Sequence, residues 1–289
     1  MSYRGRVRRL WIIVIVLASL VTLASLALAA TRLIDAGSNA GASDGGTSSD
    51  TDRPTIVEDE DLGDLEVYQV DEAGDLVPAP AADSLTATVW ETFLRVATRD
   101  FAAEVLLEYQ VGDAPDSDTL AFVYPSDDPA YWVLAANLAT SEDQATLVPT
   151  LVHEYAHIIT LGTEQVGPVS GACPTIELDE GCADEDSTIW AFQERFWSGY
   201  TDAPGVDNGD WEVSDPFYAA HEDDFVSDYA AMNVVEDVAE TFAVFVMEDR
   251  PTGDSVAAQK VEFFWGYPEY VAIRERIRAE FADDLGLVG

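Results

Sequence analysis

The residues whose types and spacing point to chemistry are His153, Glu154 and His157, in the run His153-Glu154-Tyr155-Ala156-His157. This is the H-E-x-x-H pattern. On a helix, positions i and i+4 lie on one face, so both imidazoles reach one metal ion. The glutamate between them sits beside the metal-bound water and can take its proton. The chain has three histidines, and two of them stand in this spacing. Leu147, Leu151, Val152, Ile158, Ile159 and Leu161 make the surrounding helix strongly apolar, as a buried active-site helix would be. The plainer reading is a core helix with two satisfied histidines.

A catalytic zinc needs a third protein ligand and a position left open for water. Cys173 and Cys182 are the only cysteines, and no histidine lies near them in the sequence. His221 is a candidate nitrogen ligand, but a metzincin pattern requires Gly and then His soon after the motif. Here Ile158-Ile159-Thr160-Leu161-Gly162-Thr163 follows instead. A carboxylate from a second helix is the remaining option, and residues 233–246 supply one. Asn233 with Glu236 reads as a helix cap and its third-position partner. Val235, Val238, Ala239, Phe242 and Val246 form an apolar stripe at helical spacing. Glu236 and Glu240 stand at i and i+4, on a face adjoining that stripe. Carboxylates turned towards a core need a partner, and a metal with its histidine ligands is one.

The stretch from Ser227 through Tyr229 and Glu236 to Phe242 resembles the second zinc-helix region of gluzincin metallopeptidases, specifically the anthrax lethal factor-like group. In that group a Ser-Tyr pair precedes the ligand glutamate by the spacing between Tyr229 and Glu236, and another glutamate follows one turn later, like Glu240. The resemblance implies that Glu236 is the third zinc ligand. It implies that Tyr229 stabilises an oxyanion or donates a proton, and that Glu240 steadies a histidine ligand from behind. It covers residues 85–283 as architecture and only the two motifs as residues. Asp228, between the serine and the tyrosine, departs from the pattern and adds charge near the site. Taken singly, Glu236 also reads as an N-terminal helix acid favoured by the dipole, and Tyr229 as a loop aromatic. His221 lies in the hydrophilic run His221-Glu222-Asp223-Asp224 and reads as a surface residue.

The N-terminus bears on compartment. Arg4, Arg6, Arg8 and Arg9 precede an uncharged apolar run over residues 10–30, with Trp11 where an interfacial aromatic anchors. Such a run is long enough to span a bilayer, and basic residues before it predict a cytoplasmic N-terminus and an exported remainder. Ala27-Leu28-Ala29 offers a cleavage site, so secretion after cleavage near Ala29 competes with a retained anchor. The length of the run favours the anchor. All 55 acidic residues follow Ala30, with only ten of the 14 basic ones, so the exported part carries about −45. That charge argues against nucleic acid and anionic lipid as partners. An acidic habit of the source is favoured over substrate selection as its cause. Cys173 and Cys182, nine apart in an exported chain, invite a disulfide that pins the loop after the metal helix.

Composition divides the chain into a basic cytoplasmic tail (1–10), a transmembrane or signal segment (11–30), a flexible acidic linker (31–82) and a metallopeptidase-like domain (83–289). Residues 55–82 read equally as an extended arm or as a strand packed on the domain. Helical spacing marks residues 83–99, and strands are predicted over 104–111, 119–124 and 131–139. Ser141 with Gln144 is a capping-box candidate. Pro149 predicts that the metal helix begins near Thr146 or kinks there, and Gly162 ends it. Further helices are predicted over 188–197, 233–248, 255–264 and 268–281. Strands, then the metal helix, then a helical half make an α+β zincin-like order. The last strand before the metal helix is expected to edge a cleft and pair with an extended peptide.

The function these expectations favour is a membrane-anchored, extracytoplasmic zinc metalloendopeptidase acting on a peptide or protein substrate. The alternative is a non-enzymatic surface protein that keeps its zinc site for structure or binding. A complete ligand set together with Glu154 and Tyr229 favours the enzyme, because a structural site needs neither.

Overall fold

A computed structural model describes residues 53–286. The chain enters a mixed sheet through β1 (Thr55–Asp59), β2 (Gly63–Val70) and β3 (Leu76–Val77). Two helices follow, α1 (Leu85–Ala97) and α2 (Arg99–Val105), then β4 (Leu106–Gly112), β5 (Ala121–Pro125) and β6 (Trp132–Asn137). The strand order is β1-β2-β4-β6-β5, with β3 paired to β2. Only β4 and β6 run parallel.

These strands follow from their side chains. All of β6 is buried, because both faces of the sheet are covered there. Trp132, Leu134 and Ala136 face the main core, whereas Ala135 joins Leu62, Leu65 and Phe122 on the opposite face. The segment 55–77 therefore belongs to the sheet, and the linker boundary expected at residue 82 moves upstream. Leu65, Val67 and Tyr68 are buried, which gives this acidic stretch enough apolar surface to fold. The sheet also corrects the cleft expectation: β6 lies between β4 and β5, and the edge strand is β5.

Thr98 divides the helical region before β4. It adopts φ 88°, ends α1, and accepts a hydrogen bond from the Phe101 amide at 3.3 Å to start α2. The strand predicted from residue 104 consequently begins at Leu106.

The helix that carries the H-E-x-x-H pattern, α3, spans Gln144–Leu161. Asp143, not Ser141, is its cap, accepting from the Ala145 amide at 3.2 Å. Ser141 is buried and donates instead to the Asn137 carbonyl at 2.7 Å. Pro149 sits within the helix, past its start, so the expected beginning near Thr146 is two residues late. Gly162 ends it as predicted.

After α3 comes a small antiparallel sheet that the sequence reading did not contain: β7 (Val166–Gly167), β8 (Glu177–Leu178) and β9 (Gly181–Ala183), in the order β7-β9-β8. The expected disulfide joins Cys173 to Cys182 across it. Next are α4 (Thr188–Phe192), continued by a π-helical turn over Gln193–Trp197, and α5 (Trp211–His221). The helical half closes with α6 (Val234–Met247), α7 (Val256–Phe263), α8 (Pro268–Glu280) and α9 (Ala282–Leu285). Among the described residues no helix is long and apolar enough to cross a membrane; the apolar run at 10–30 lies outside them.

Three devices fix α6 beside α3. At its start, Asn233 Oδ1 accepts from the amides of Val235 (2.8 Å) and Glu236 (3.0 Å). At its end, Arg274 and Arg278 on α8 donate to the carbonyls of Phe245, Val246 and Met247, which the helix leaves unpaired. Along its side, Asp237 Oδ2 lies 2.6 Å from Lys260 Nζ on α7, both fully buried, and accepts from Trp197 Nε1 at 2.7 Å. Burial raises the Asp237 pKa and lowers that of Lys260, and their mutual attraction opposes both shifts. Removing one partner of a buried pair strands the other charge. Lys260→Met is therefore expected to cost about 3–5 kcal/mol, read as a lower urea midpoint at unchanged slope. Adding Asp237→Asn should recover part of that loss.

Candidate metal centre

α3 and α6 pack side by side, and each presents two polar groups at i and i+4 to the seam between them. From α3 come His153 and His157, whose rings meet nearly edge to face at 4.7 Å. Their Nε2 atoms are 2.9 Å apart. From α6 comes Glu236, with Oε2 at 3.1 Å from His153 Nε2 and 3.4 Å from His157 Nε2. The three donor atoms fall within 4.8 Å of one another. This group can hold a metal ion.

Glu240, one turn beyond Glu236, accepts from His153 Nδ1 at 2.9 Å. That bond turns Nε2 towards His157 and Glu236, which is the outer support a metal-binding imidazole normally has. Glu240 is itself fixed: Ser227 Oγ donates to its other oxygen at 2.6 Å. The same hydroxyl accepts from the Ala230 amide at 3.0 Å and so shapes the turn over Tyr229–Ala231. Ser227 thus ties the tyrosine turn to the histidine through Glu240. No local pattern marks that role, since the partners stand 13 positions apart.

The electrostatics of the group follow from its burial. Desolvation works against a charged His153, but its bonds to Glu236 and Glu240 outweigh this and hold its pKa well above the imidazole range. Desolvation likewise opposes ionisation of Glu236, but His157 and His153 outweigh it and hold its carboxyl far below the usual range. The carboxylates therefore draw positive charge into the seam. An ion between these donors supplies that charge without protonated imidazoles, and the observed donor set fits one.

Glu154 and Tyr229 complete the assembly. Glu154 is buried, and desolvation raises its pKa, with His153 and His157 opposing. Tyr229 is buried with its ring centroid 6.0 Å from that of His153 and 6.0 Å from that of Trp211. Burial first, then the carboxylates of Glu236 and Glu154, push its phenol well above the ordinary range, so it stays a hydrogen-bond donor. Asp228 is exposed, and its carboxylate caps the turn by accepting from the Tyr229 amide at 2.9 Å. Glu236 does not fold back on Asn233 as a capping-box partner; its carboxylate is spent in the seam.

His221 lies outside this group. Its ring sits over Tyr200 and Phe217, with Nε2 3.3 Å from Asp202, and it is partly exposed. The structure adds one carboxylate that the sequence reading did not consider. Glu180, in the turn between β8 and β9, lies within electrostatic range of His157 and Glu236.

Neither a family model, nor a curated protein, nor a solved structure matches this chain. The functional reading therefore rests on the site itself.

If His153, His157 and Glu236 are the donors, Glu236→Ala should empty the site, measured as metal per chain after purification. Glu240→Gln should keep the donors and weaken affinity by about 10- to 100-fold in a chelator competition. Unchanged metal content in Glu236→Ala would place the third donor elsewhere.

Proposed function

We propose that this protein is a zinc-dependent peptidase, held at the cell membrane by residues 11–30 with residues 31–289 outside. The observation that carries the reading is the convergence of two histidines and one glutamate with Glu154 and Tyr229 in the same buried seam. A metal kept only for structure needs neither of the last two. Two imidazoles and one carboxylate as the three protein ligands suit a catalytic zinc. Export is supported by the disulfide and by the basic residues before the apolar run. The resemblance to the lethal factor-like gluzincins agrees with this ligand set and adds nothing to the geometry.

His153, His157 and Glu236 would hold the ion, with Glu240 and Ser227 fixing the orientation of His153. When bound, zinc polarises a substrate carbonyl and makes water a nucleophile at neutral pH. Glu154 accepts the proton of the attacking water and delivers it to the leaving amine. Its raised pKa suits a group that must both take and give a proton near neutrality. Tyr229 donates its phenolic hydrogen to the carbonyl oxygen as that oxygen gains charge. The free edge of β5, beside α3, offers backbone groups to an extended peptide.

The test uses the full chain with an unfolded protein as substrate. Glu154→Gln should keep its metal and lose about 100- to 10,000-fold in turnover. Tyr229→Phe should lose about 100- to 1,000-fold, also with metal retained. His221→Ala should stay near wild type. Wild-type protein that binds zinc but cleaves nothing would leave a binding site in place of an enzyme. An inactive His221→Ala beside an active Tyr229→Phe would move the oxyanion donor to the histidine.

A further inference from the structure

Tyr229 is held differently from the other polar groups of the seam. His153, Glu154 and His157 sit on α3, and Glu236 and Glu240 on α6, whereas Tyr229 sits in the short turn over Tyr229–Ala231. Its ring also stands apart from the main core. Among the described residues, Tyr229 and Met232 form an apolar cluster of their own, with Leu120 and Trp211 packed against it. Two rings border that of Tyr229, each with its centroid 6.0 Å away: the imidazole of His153 and the indole of Trp211. Tyr229 is buried, while Trp211 is only partly so. The indole therefore lies against the phenol ring and itself reaches the surface.

Trp211 is fixed relative to α6. It is the first residue of α5, whose start is set by Asp210 Oδ1 accepting from the Glu212 amide at 2.9 Å. Just before it, Asn208 Nδ2 donates to the Met232 carbonyl at 3.0 Å, and Asn233 Nδ2 donates back to the Asn208 carbonyl at 2.9 Å. Asn233 is also the residue whose Oδ1 accepts from the Glu236 amide. One asparagine thus ties the backbone of Glu236 to the segment that delivers the indole. The indole, the turn that carries the phenol and the start of α6 are held in one register.

A turn fixes the backbone of a tyrosine but leaves its ring free to change rotamer. A donor to a developing oxyanion has to be oriented before the reaction, and a displacement of about 1 Å at a reacting group can cost on the order of 100-fold in rate. A rigid aromatic plate against the ring supplies that restraint.

We propose that Trp211 is a positioning residue: its indole packs on Tyr229 and holds the phenol in the orientation from which it donates at the metal centre. The role of the phenol rests on the peptidase reading above; the contact does not.

The first experiment is a double-mutant cycle on the zinc-loaded full chain with an unfolded protein as substrate. Trp211→Ala should lower kcat by about 10- to 100-fold, with KM and zinc per chain unchanged. Trp211→Phe keeps a ring against the phenol and should recover most of the loss. In a Tyr229→Phe background, Trp211→Ala should cost nothing further. A loss of equal size in both backgrounds, or a loss confined to KM, overturns the proposal by placing Trp211 on the substrate or in general packing.

The second experiment needs no turnover. 3-Fluorotyrosine in place of Tyr229 supplies a single fluorine signal, recorded on the full chain loaded with zinc and then with cobalt(II). Cobalt(II) accepts the same nitrogen and oxygen donors, and its unpaired electrons shift a nearby nucleus according to its position. The wild-type background should give one narrow resonance with a large cobalt-induced shift. Trp211→Ala should broaden the resonance and change that shift at unchanged cobalt content, and Trp211→Phe should restore both. A resonance and shift indifferent to Trp211→Ala overturn the proposal. Where Trp211→Ala does not fold, Trp211→Leu fills the space without a ring and carries the same expected outcomes. If wild type cleaves nothing, the peptidase reading fails on its own, and the cobalt-induced shift still decides whether Trp211 holds the phenol at the metal.

Discussion

Burying two carboxylates on the core side of α6 is the constraint around which the rest of the structure is arranged. Glu236 and Glu240 sit among Val238, Ala239 and Phe242, where an ionised carboxylate without partners would be strongly unfavourable. The partners come from α3, and they must come in register. His153 has to reach both glutamates, one with each ring nitrogen, and His157 has to reach Glu236. A slip of one residue along either helix would break these contacts together. The polar groups therefore set the alignment of two helices whose apolar faces alone would tolerate several.

Holding that alignment takes anchors far from the histidines. The cap at Asn233 and the arginines of α8 fix the two ends of α6, and the Asp237–Lys260 pair fixes its rotation against α7. Phe225 lies beneath the Lys260 ammonium, 3.5 Å from its ring centroid, just before Ser227. Packing on the back of α6 is thus continuous with the loop that carries the tyrosine to the front. The site is formed by the same contacts that fold the helical half.

How much of this the sequence discloses depends on whether the signal is local. His153, Glu154 and His157 announce themselves because one helix turn brings them together. Asn233 and the apolar stripe after it mark α6 for the same reason. Glu236 and Glu240 were marked as carboxylates adjoining an apolar stripe, but choosing Glu236 as the ligand and singling out Tyr229 needed a resemblance, since their partner is a different helix; the structure does bring Glu236 to the histidines. Ser227 was marked as part of the Ser-Tyr pair, but its bond to Glu240 is a tertiary contact that no local pattern discloses. The strands at 55–77 were obscured by acidic residues on their outer face, which lower the apparent hydrophobicity of a segment whose inner face is apolar. The helix over Trp211–His221 was hidden by Pro216 and by a weak apolar stripe. The edge of the sheet was misplaced because strand order in space need not follow order in the chain: β5 precedes β6 but lies outside it.

Lys260 is the only lysine in the chain, and it is completely enclosed. The folded surface consequently offers no side-chain amine to acylating labels or amine cross-linkers. The one such amine becomes reactive only when α7 lifts from α6, exposing Asp237 beside Glu236. Modification of this single position would therefore time the opening of the packing behind the centre, a local unfolding event separate from loss of the whole fold. An extremely acidic surface with its one ammonium sealed inside thus carries its own chemical clock for the stability of the helix that matters most.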